Sequence, residues 1–540
     1  MKSHCWSRLL ALITPLIFAA AQASTLPGQS DPLIAYVVLG ERGHQLKGET
    51  VALLRIILDT PGLKASGEDP CARMVLSGPP GRALLSAIRA RNNPDRRQFP
   101  ISVCEAVLPF AASYDVAGET WTAQLDGKRY PLRLPSVVRT PEKALIVADT
   151  GCRDNKTQAC KDSSWYFHAT IPQDMAKLIA RDGKATFMMV IGDVRYRGGK
   201  AEGSGKKGQA WKDWKADFFS PLIGETQGKK SNNSKHSKKN KEQPQQQAYN
   251  LLAMAPWVAV RGNHELCASY GSGGPGWFFL LDPSSPLLDD SASVLAAASC
   301  SSDPKAPEAI TAPYRLDFDH RFSLLVTDSA AIEEGEQPDA DQARALAQTL
   351  ASAETHFKAG KDPERLAWWV THKPVWAAVG ATRPKLSNAT QQAALKLLPK
   401  GTPPANVKLI ASGHKHFYQS VEVDPAAAAR QPLQLVIGNG GVLINRKAFN
   451  GSEETLDAEI RTASRYGFVE ARLEIANGGV TGWTLNAYAY PRLNAKGEHQ
   501  ARLIQTCSYP VQRSAKACRV LEPAYFPVAD ADADAEDDQD

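Results

Sequence analysis

Residues 185–196 read Ala-Thr-Phe-Met-Met-Val-Ile-Gly-Asp-Val-Arg-Tyr. The stretch Ala185 to Ile191 carries no charge, and Gly192-Asp193 follows it directly. A short apolar run that stops at a turn residue predicts a strand buried on both faces. Working outward, the same arrangement recurs. Ala144-Leu145-Ile146-Val147-Ala148 ends on Asp149, and Trp257-Val258-Ala259-Val260 precedes Arg261-Gly262-Asn263-His264. Phe322 to Thr327 ends at Asp328, Trp368-Trp369-Val370 at Thr371-His372, and Val407 to Ala411 at Ser412-Gly413-His414. Helical patterns lie between several of these runs, at Ile171 to Arg181 and Asp341 to Ala359. Strands alternating with helices predict an α/β fold, and in such sheets ligands bind at the carboxyl ends of the strands.

Those ends carry Asp149, Asp193 with Tyr196, Asn263 with His264, His372, and His414 with His416. Hard oxygen donors mixed with imidazole suit iron, zinc or manganese and suit calcium or thiolate-bound zinc poorly. Each motif alone has a plainer reading. An aspartate after a strand can cap a helix, His372 can be a satisfied core histidine, and Gly413-His414-Lys415-His416 can be a surface turn. Five such motifs in order, each behind an apolar strand, are hard to obtain by chance.

The ordered motifs resemble the calcineurin-like metallophosphoesterase superfamily and, within it, the purple acid phosphatases of the bacterial exported type. The family pattern DxG, GDxxY, GNHE, VxxH and GHxH meets Asp149-Thr150-Gly151, Gly192-Asp193-Val194-Arg195-Tyr196, Gly262-Asn263-His264-Glu265, Val370-Thr371-His372 and Gly413-His414-Lys415-His416. The resemblance spans roughly residues 143 to 490. It departs after Tyr196, where Arg197-Gly198-Gly199 replaces the usual Ala-Asp, and the fourth motif is one residue short. The resemblance implies a four-layer α/β/β/α sandwich and two metal ions, iron plus a divalent zinc, manganese or iron. Asp149, Asp193, Tyr196 and His416 would hold the first, and Asp193, Asn263, His372 and His414 the second. Cations roughly 3.5–4 Å apart can clamp a phosphoryl group and activate water as hydroxide. His264 would then serve the leaving group as acid or hydrogen-bond donor, or else orient a neighbouring carboxylate, as Glu265 also could. Arg153, Arg195 and Arg261 lie beside ligands as candidate phosphate binders, with surface ion pairs as the alternative. The implied reaction is hydrolysis of a small phosphate monoester. The alternatives are a phosphodiesterase or nucleotide hydrolase with the same site, or a non-catalytic binding module on the same scaffold.

The rest of the chain sets the context. Its 540 residues predict more than one domain. Lys2 and Arg8, the apolar stretch Leu9 to Ala21 and Ala21-Gln22-Ala23 predict a signal peptide over 1–23, so the mature protein is expected to be periplasmic or secreted with no membrane span. Residues 24–140 contain several strand-like runs and an Asp126-Gly127 hairpin signal, and predict a separate all-β sandwich without chemistry of its own. The metallophosphoesterase domain is expected over 141–505, a disulfide-stapled segment over 506–528, and an acidic tail over 529–540. Cys5 leaves with the signal peptide, and the eight remaining cysteines suggest disulfides in an exported protein. Sequential proximity suggests 71–104, 152–160, 267–300 and 507–518, among about 105 possible connectivities. The insertion 226–247 carries six lysines, and Asp530 to Asp540 seven acidic residues. Both read as disordered, and without interleaved aromatics the lysine run predicts no nucleic-acid partner. A net charge of +6 is small for this length and agrees.

Overall fold

Eleven strands build the larger of two main sheets among the described residues, and the run that opens on Thr186 sits near its centre. From one edge the order is Cys518–Val520, Arg502–Tyr509, Gly479–Ala489, Gly467–Ala476, Lys143–Val147, Thr186–Ile191, Trp257–Val260, Leu33–Glu41, Thr50–Leu58, Ser102–Leu108 and Arg89–Ala90. The four strands from Lys143–Val147 to Leu33–Glu41 pair in parallel, and antiparallel strands extend the sheet on both sides. The computed structural model describes residues 33–44, 46–59, 69–153, 158, 160, 165–196, 210–225, 249–267, 273–288, 300, 309–359, 364–380, 385–423, 431–446, 449–453, 457–491, 500–510 and 516–527.

The second sheet has eight strands, in the order Tyr314–Asp317, Phe322–Thr327, Leu366–Thr371, Val407–Ser412, Leu433–Ile437, Tyr418–Val423, Ala458–Ala463 and Gly451–Glu453. Phe322–Thr327, Leu366–Thr371, Val407–Ser412 and Leu433–Ile437 pair in parallel. The two sheets share one apolar core. Ala144, Ile146, Phe187, Met189 and Val258 from the first join Leu324, Trp368, Val370, Leu409 and Ala411 from the second. Alternate residues of the same strands face outward. Leu145, Val147, Met188 and Val190 pack with Met175, Ile179, Trp214 and Trp277, which lie on helices. On the far side Leu325, Trp369 and Ile410 pack against Leu346, Leu350 and Phe357 of the helix Ala340–Ala359. Two-faced burial is why these strands read as continuous apolar runs rather than alternating ones. The result is a mixed α/β molecule with helices outside both sheets.

The two helices expected from the sequence both form. Ile171–Asp182 has Pro172 in its first turn and buries Ile171, Met175, Leu178 and Ile179 along one stripe. Asp339 accepts the backbone N–H groups of Asp341 and Gln342 and so caps Ala340–Ala359. The hairpin Glu119–Leu125 to Lys128–Leu134 turns at Asp126 and Gly127, both at positive φ.

The expected sandwich over 24–140 is corrected. Leu33–Glu41, Thr50–Leu58 and Ser102–Leu108 belong to the large sheet, and Val38 pairs in parallel with Trp257. Both nine-residue strands are buried along their whole length, so each needs cover on two faces, which a small sandwich supplies on one. Among the described residues of this stretch, a three-stranded sheet, Val75–Ser77 with the hairpin, stands apart from the main sheets, and Trp121, Ala123 and Leu132 pack it onto the shared core. Leu33–Asp540 forms one compact unit. The boundary expected at 505 also falls inside a strand. Arg502–Tyr509 and Cys518–Val520 pair with each other at the edge of the large sheet, with Cys507 opposite Cys518.

The four disulfides are 71–104, 152–160, 267–300 and 507–518, the pairing that proximity suggested. Four disulfides suit an oxidising environment. No helix among the described residues is long and apolar enough to cross a membrane. The expected signal peptide, the lysine-rich insertion and the acidic tail lie outside the described residues.

Candidate metal centre

Five strand ends converge. Asp149 and Asp193 follow Lys143–Val147 and Thr186–Ile191 by two residues each, and Asn263–Glu265 is a short 3-10 turn behind Trp257–Val260. His372 follows Leu366–Thr371 directly, and His414 lies two residues beyond Val407–Ser412. The first three come from the large sheet and the last two from the smaller one. Backbone bonds fasten each set internally, and one backbone N–H joins the two through a carboxylate. Gly413 N–H donates to His372 O at 2.9 Å, Asp149 N–H to Gly192 O at 3.0 Å, and His414 N–H to Asp149 Oδ2 at 2.7 Å. A Cβ on Gly413 would lie 2.5 Å from Asp149 Oδ2, so the close approach of the two sheets needs glycine there.

Asp149, Asp193 and His414 hold left-handed φ of 54°, 51° and 70°. Such a conformation costs a non-glycine residue on the order of 1–3 kcal/mol and persists where the surroundings over-determine it, often at a functional site. Here the peptide bonds and carboxylates just described supply that constraint.

Acceptor atoms crowd together. Tyr196 Oη lies 2.7 Å from Asp149 Oδ1, 3.0 Å from Asp193 Oδ2 and 3.0 Å from His416 Nε2. A phenol carries one proton and satisfies one of these. His372 donates from Nδ1 to Ile191 O at 2.8 Å, which turns Nε2 toward Asn263 Oδ1 at 3.1 Å and Asp193 Oδ2 at 3.3 Å. Asp193, His372 and His414 each offer a ligand atom within 4.8 Å of the others. Donor-poor clusters of carboxylate, phenol, amide oxygen and imidazole are chemically suited to a cation.

The electrostatics agree. Burial, with Asp193 nearby, pushes Asp149 well above the usual carboxylate range. Asp193 is held well below it; burial works the other way, but His372, His264 and His414 together outweigh it. Burial would lower His372 too, yet Asp193 raises it to about 9. Burial and the two carboxylates raise Tyr196 well above 10, so a phenolate there would need a cation to offset them. Burial lowers His264 to about 4, and Arg153 and Arg195 add to the effect. Burial likewise lowers His414 to about 4 and, with Arg153, holds His416 well below the usual imidazole range. A bound cation would favour the deprotonated forms of Asp149 and His372.

The supporting residues sort clearly. His264 donates its backbone N–H to Asp193 Oδ1 at 2.9 Å, and its ring lies 4.0 Å from that of Tyr196. Glu265 Oε2 accepts the N–H groups of Asp193 at 2.9 Å and Gly262 at 3.1 Å, fastening two motifs to each other. Burial, with Asp193 close by, raises Glu265 to about 8. Arg153 stands 5.8 Å over the Tyr196 ring, and Arg195 is buried beside the site. Arg261 departs from its expected role. Its Nε lies 2.9 Å from Asp328 Oδ2, both side chains are buried, and Asp328 also accepts the N–H groups of Thr311 and Ala330. That ion pair holds Arg261 in the scaffold. Arg197 lies outside the described residues.

Sequence reasoning missed Glu334. Its carboxylate accepts from His414 Nε2 at 2.6 Å and Lys415 Nζ at 3.0 Å. It stands in Glu333-Glu334-Gly335-Glu336, seven residues past a strand end, where nothing in the spacing marks one glutamate over the others.

No protein-family model matches this chain, and a search of curated proteins finds no match.

Proposed function

We propose that this chain is an exported, dinuclear metal-dependent phosphoesterase of the calcineurin-like, purple-acid-phosphatase kind, acting on phosphomonoesters. The observation that carries the reading is the position of Asp193. One oxygen of its carboxylate, Oδ2, lies 3.0 Å from Tyr196 Oη and 3.3 Å from His372 Nε2, so it touches both donor groups. Asp149, Asp193, Tyr196 and His416 would hold iron, and Asp193, Asn263, His372 and His414 a second, divalent ion. The succession of helices, sheet, sheet and helices is what the four-layer metallophosphoesterase sandwich would require.

Cations held there supply Lewis acidity toward phosphoryl oxygens and acidify water. The chain's own residues do the rest. Asp193 sets the separation of the two positions. Asn263 contributes an oxygen without a negative charge. His264, anchored through its backbone to Asp193 and against the Tyr196 ring, donates a hydrogen bond to the leaving-group oxygen. Arg153 and Arg195 attract the phosphate charge.

Metal analysis with a visible spectrum tests this. Two metal ions per chain are expected, with a tyrosinate-to-iron charge-transfer band that vanishes in Tyr196→Phe. Hydrolysis of a nitrophenyl phosphate monoester should exceed that of the corresponding diester and fall to background in Asp193→Ala. Purified protein without bound transition metal and without hydrolysis would overturn the reading. Two metals without the band would remove the iron-tyrosinate pair alone.

A further inference from the structure

Each imidazole of the close donor group has a ring nitrogen engaged outside it. His372 gives Nδ1–H to Ile191 O, a fixed backbone acceptor. His414 Nε2 meets a side chain instead, Glu334 Oε2 at 2.6 Å, from a loop of the smaller sheet. That loop is held from several directions. Lys415 Nζ donates to the same carboxylate oxygen at 3.0 Å. Lys373 Nζ donates to Ile332 O at 2.5 Å, two residues before Glu334. Ser329 Oγ accepts both the Thr371 hydroxyl and the Lys373 N–H, each at 2.8 Å. Three of the tethering residues, Thr371, Lys373 and Lys415, flank His372 or His414. The loop therefore rides on the segments that carry the donors.

We infer that Glu334 is a positioning residue for His414: it accepts the Nε2 proton, fixes the ring's orientation and tautomer, and leaves Nδ1 as the nitrogen whose lone pair joins Asp193 and His372 around a divalent cation. A carboxylate behind a metal-ligating histidine both holds the tautomer and makes the ring more basic, and removing one typically costs about 10–100-fold in metal affinity. The role rests on the metal-centre reading above. It concerns His414, one of the three close donors, and adds a residue no motif contains. Glu333 and Glu336 make no such contact: the Glu336 carboxylate pairs with Lys385, and Glu333 is bonded through its backbone by Gln342 and Thr390.

The test is titration of the metal-stripped full chain with Zn²⁺, and with Co²⁺ followed by its visible spectrum. Wild type, Glu334→Gln, Glu334→Ala, Glu336→Ala and His414→Ala are compared. Zn²⁺ affinity should fall about 10–100-fold in Glu334→Ala, with a changed Co²⁺ spectrum. Glu334→Gln, which keeps an acceptor oxygen, should recover most of the loss, and Glu336→Ala should match wild type. Thermal unfolding of each stripped variant shows whether the fold is intact, and Glu334→Gln keeps the shape if Glu334→Ala does not fold. Glu334 variants that bind Zn²⁺ within twofold of wild type, while His414→Ala does not, would overturn the positioning role and leave the metal centre standing. No binding by wild type would overturn the metal centre and this role with it.

Discussion

Gly192 has φ of 76°, and a Cβ there would lie 2.4 Å from His372 Nδ1 and 2.7 Å from Gly262 Cα. An alanine would meet a left-handed penalty of roughly 1–2 kcal/mol and push the histidine ring off its bond to Ile191 O. Gly192→Ala should therefore lower the unfolding midpoint and also weaken Zn²⁺ binding by at least about tenfold, since that ring is a donor whose outer bond fixes it. A melt and a titration on the same protein check both effects, and unchanged binding would disconnect the glycine from the site. At this scale much was legible. The aspartates, histidines and tyrosine stand together as their order suggested. What stayed hidden was partner choice. Arg261 and Arg195 look alike beside their motifs, yet Asp328 claims Arg261 for the scaffold. Glu334 differs from its neighbours only in what the fold brings against it.

Strands are the elements on which the core depends. Trp368 packs edge-on against Phe322 of its own sheet at 5.1 Å between ring centroids and against Trp483 of the other sheet at 5.4 Å. It is fully buried, so Trp368→Ala should cost about 3–5 kcal/mol, as large-to-small core changes do. Urea unfolding measures the loss. A cost below about 1 kcal/mol would mean the sheets are not locked together there. Tm should fall without a change in metal stoichiometry, because Trp368 points into the shared core rather than toward the site. The elements themselves were readable: each strand predicted to end in a ligand motif is present, as are both long helices. Their division between two sheets was not. An apolar run records that both its faces are covered, but carries no label for its neighbour.

For the whole molecule, the N-terminal strands decide the domain count. Leu33–Glu41 lies between Trp257–Val260 and Thr50–Leu58, well inside the large sheet. A chain starting at residue 141 would bare the edge of Trp257–Val260 and strip Val37, Leu39, Leu54 and Ile56 from the core shared by both sheets. Such a fragment should be insoluble, or soluble without a cooperative thermal transition, because an exposed apolar edge strand invites pairing with other chains. A well-behaved, cooperatively melting fragment would restore the separate domain that the strand pattern predicted.

By itself, the sequence determined the α/β class, the positions of the motif-bearing strands and of two helices, and the chemical kinds of residue at the strand ends, and it suggested the disulfide pairing. These follow from local pattern: burial imposes hydrophobic periodicity, and turns and ligands interrupt it. Only the tertiary structure decided which strands share a sheet, that the N-terminal strands complete the large one, that Arg261 is spent on Asp328, and that Glu334 stands behind His414. Each of these depends on contacts between residues far apart in the chain. Such contacts are chosen by the competition of all faces for cover and all charges for partners, which no single window of sequence contains.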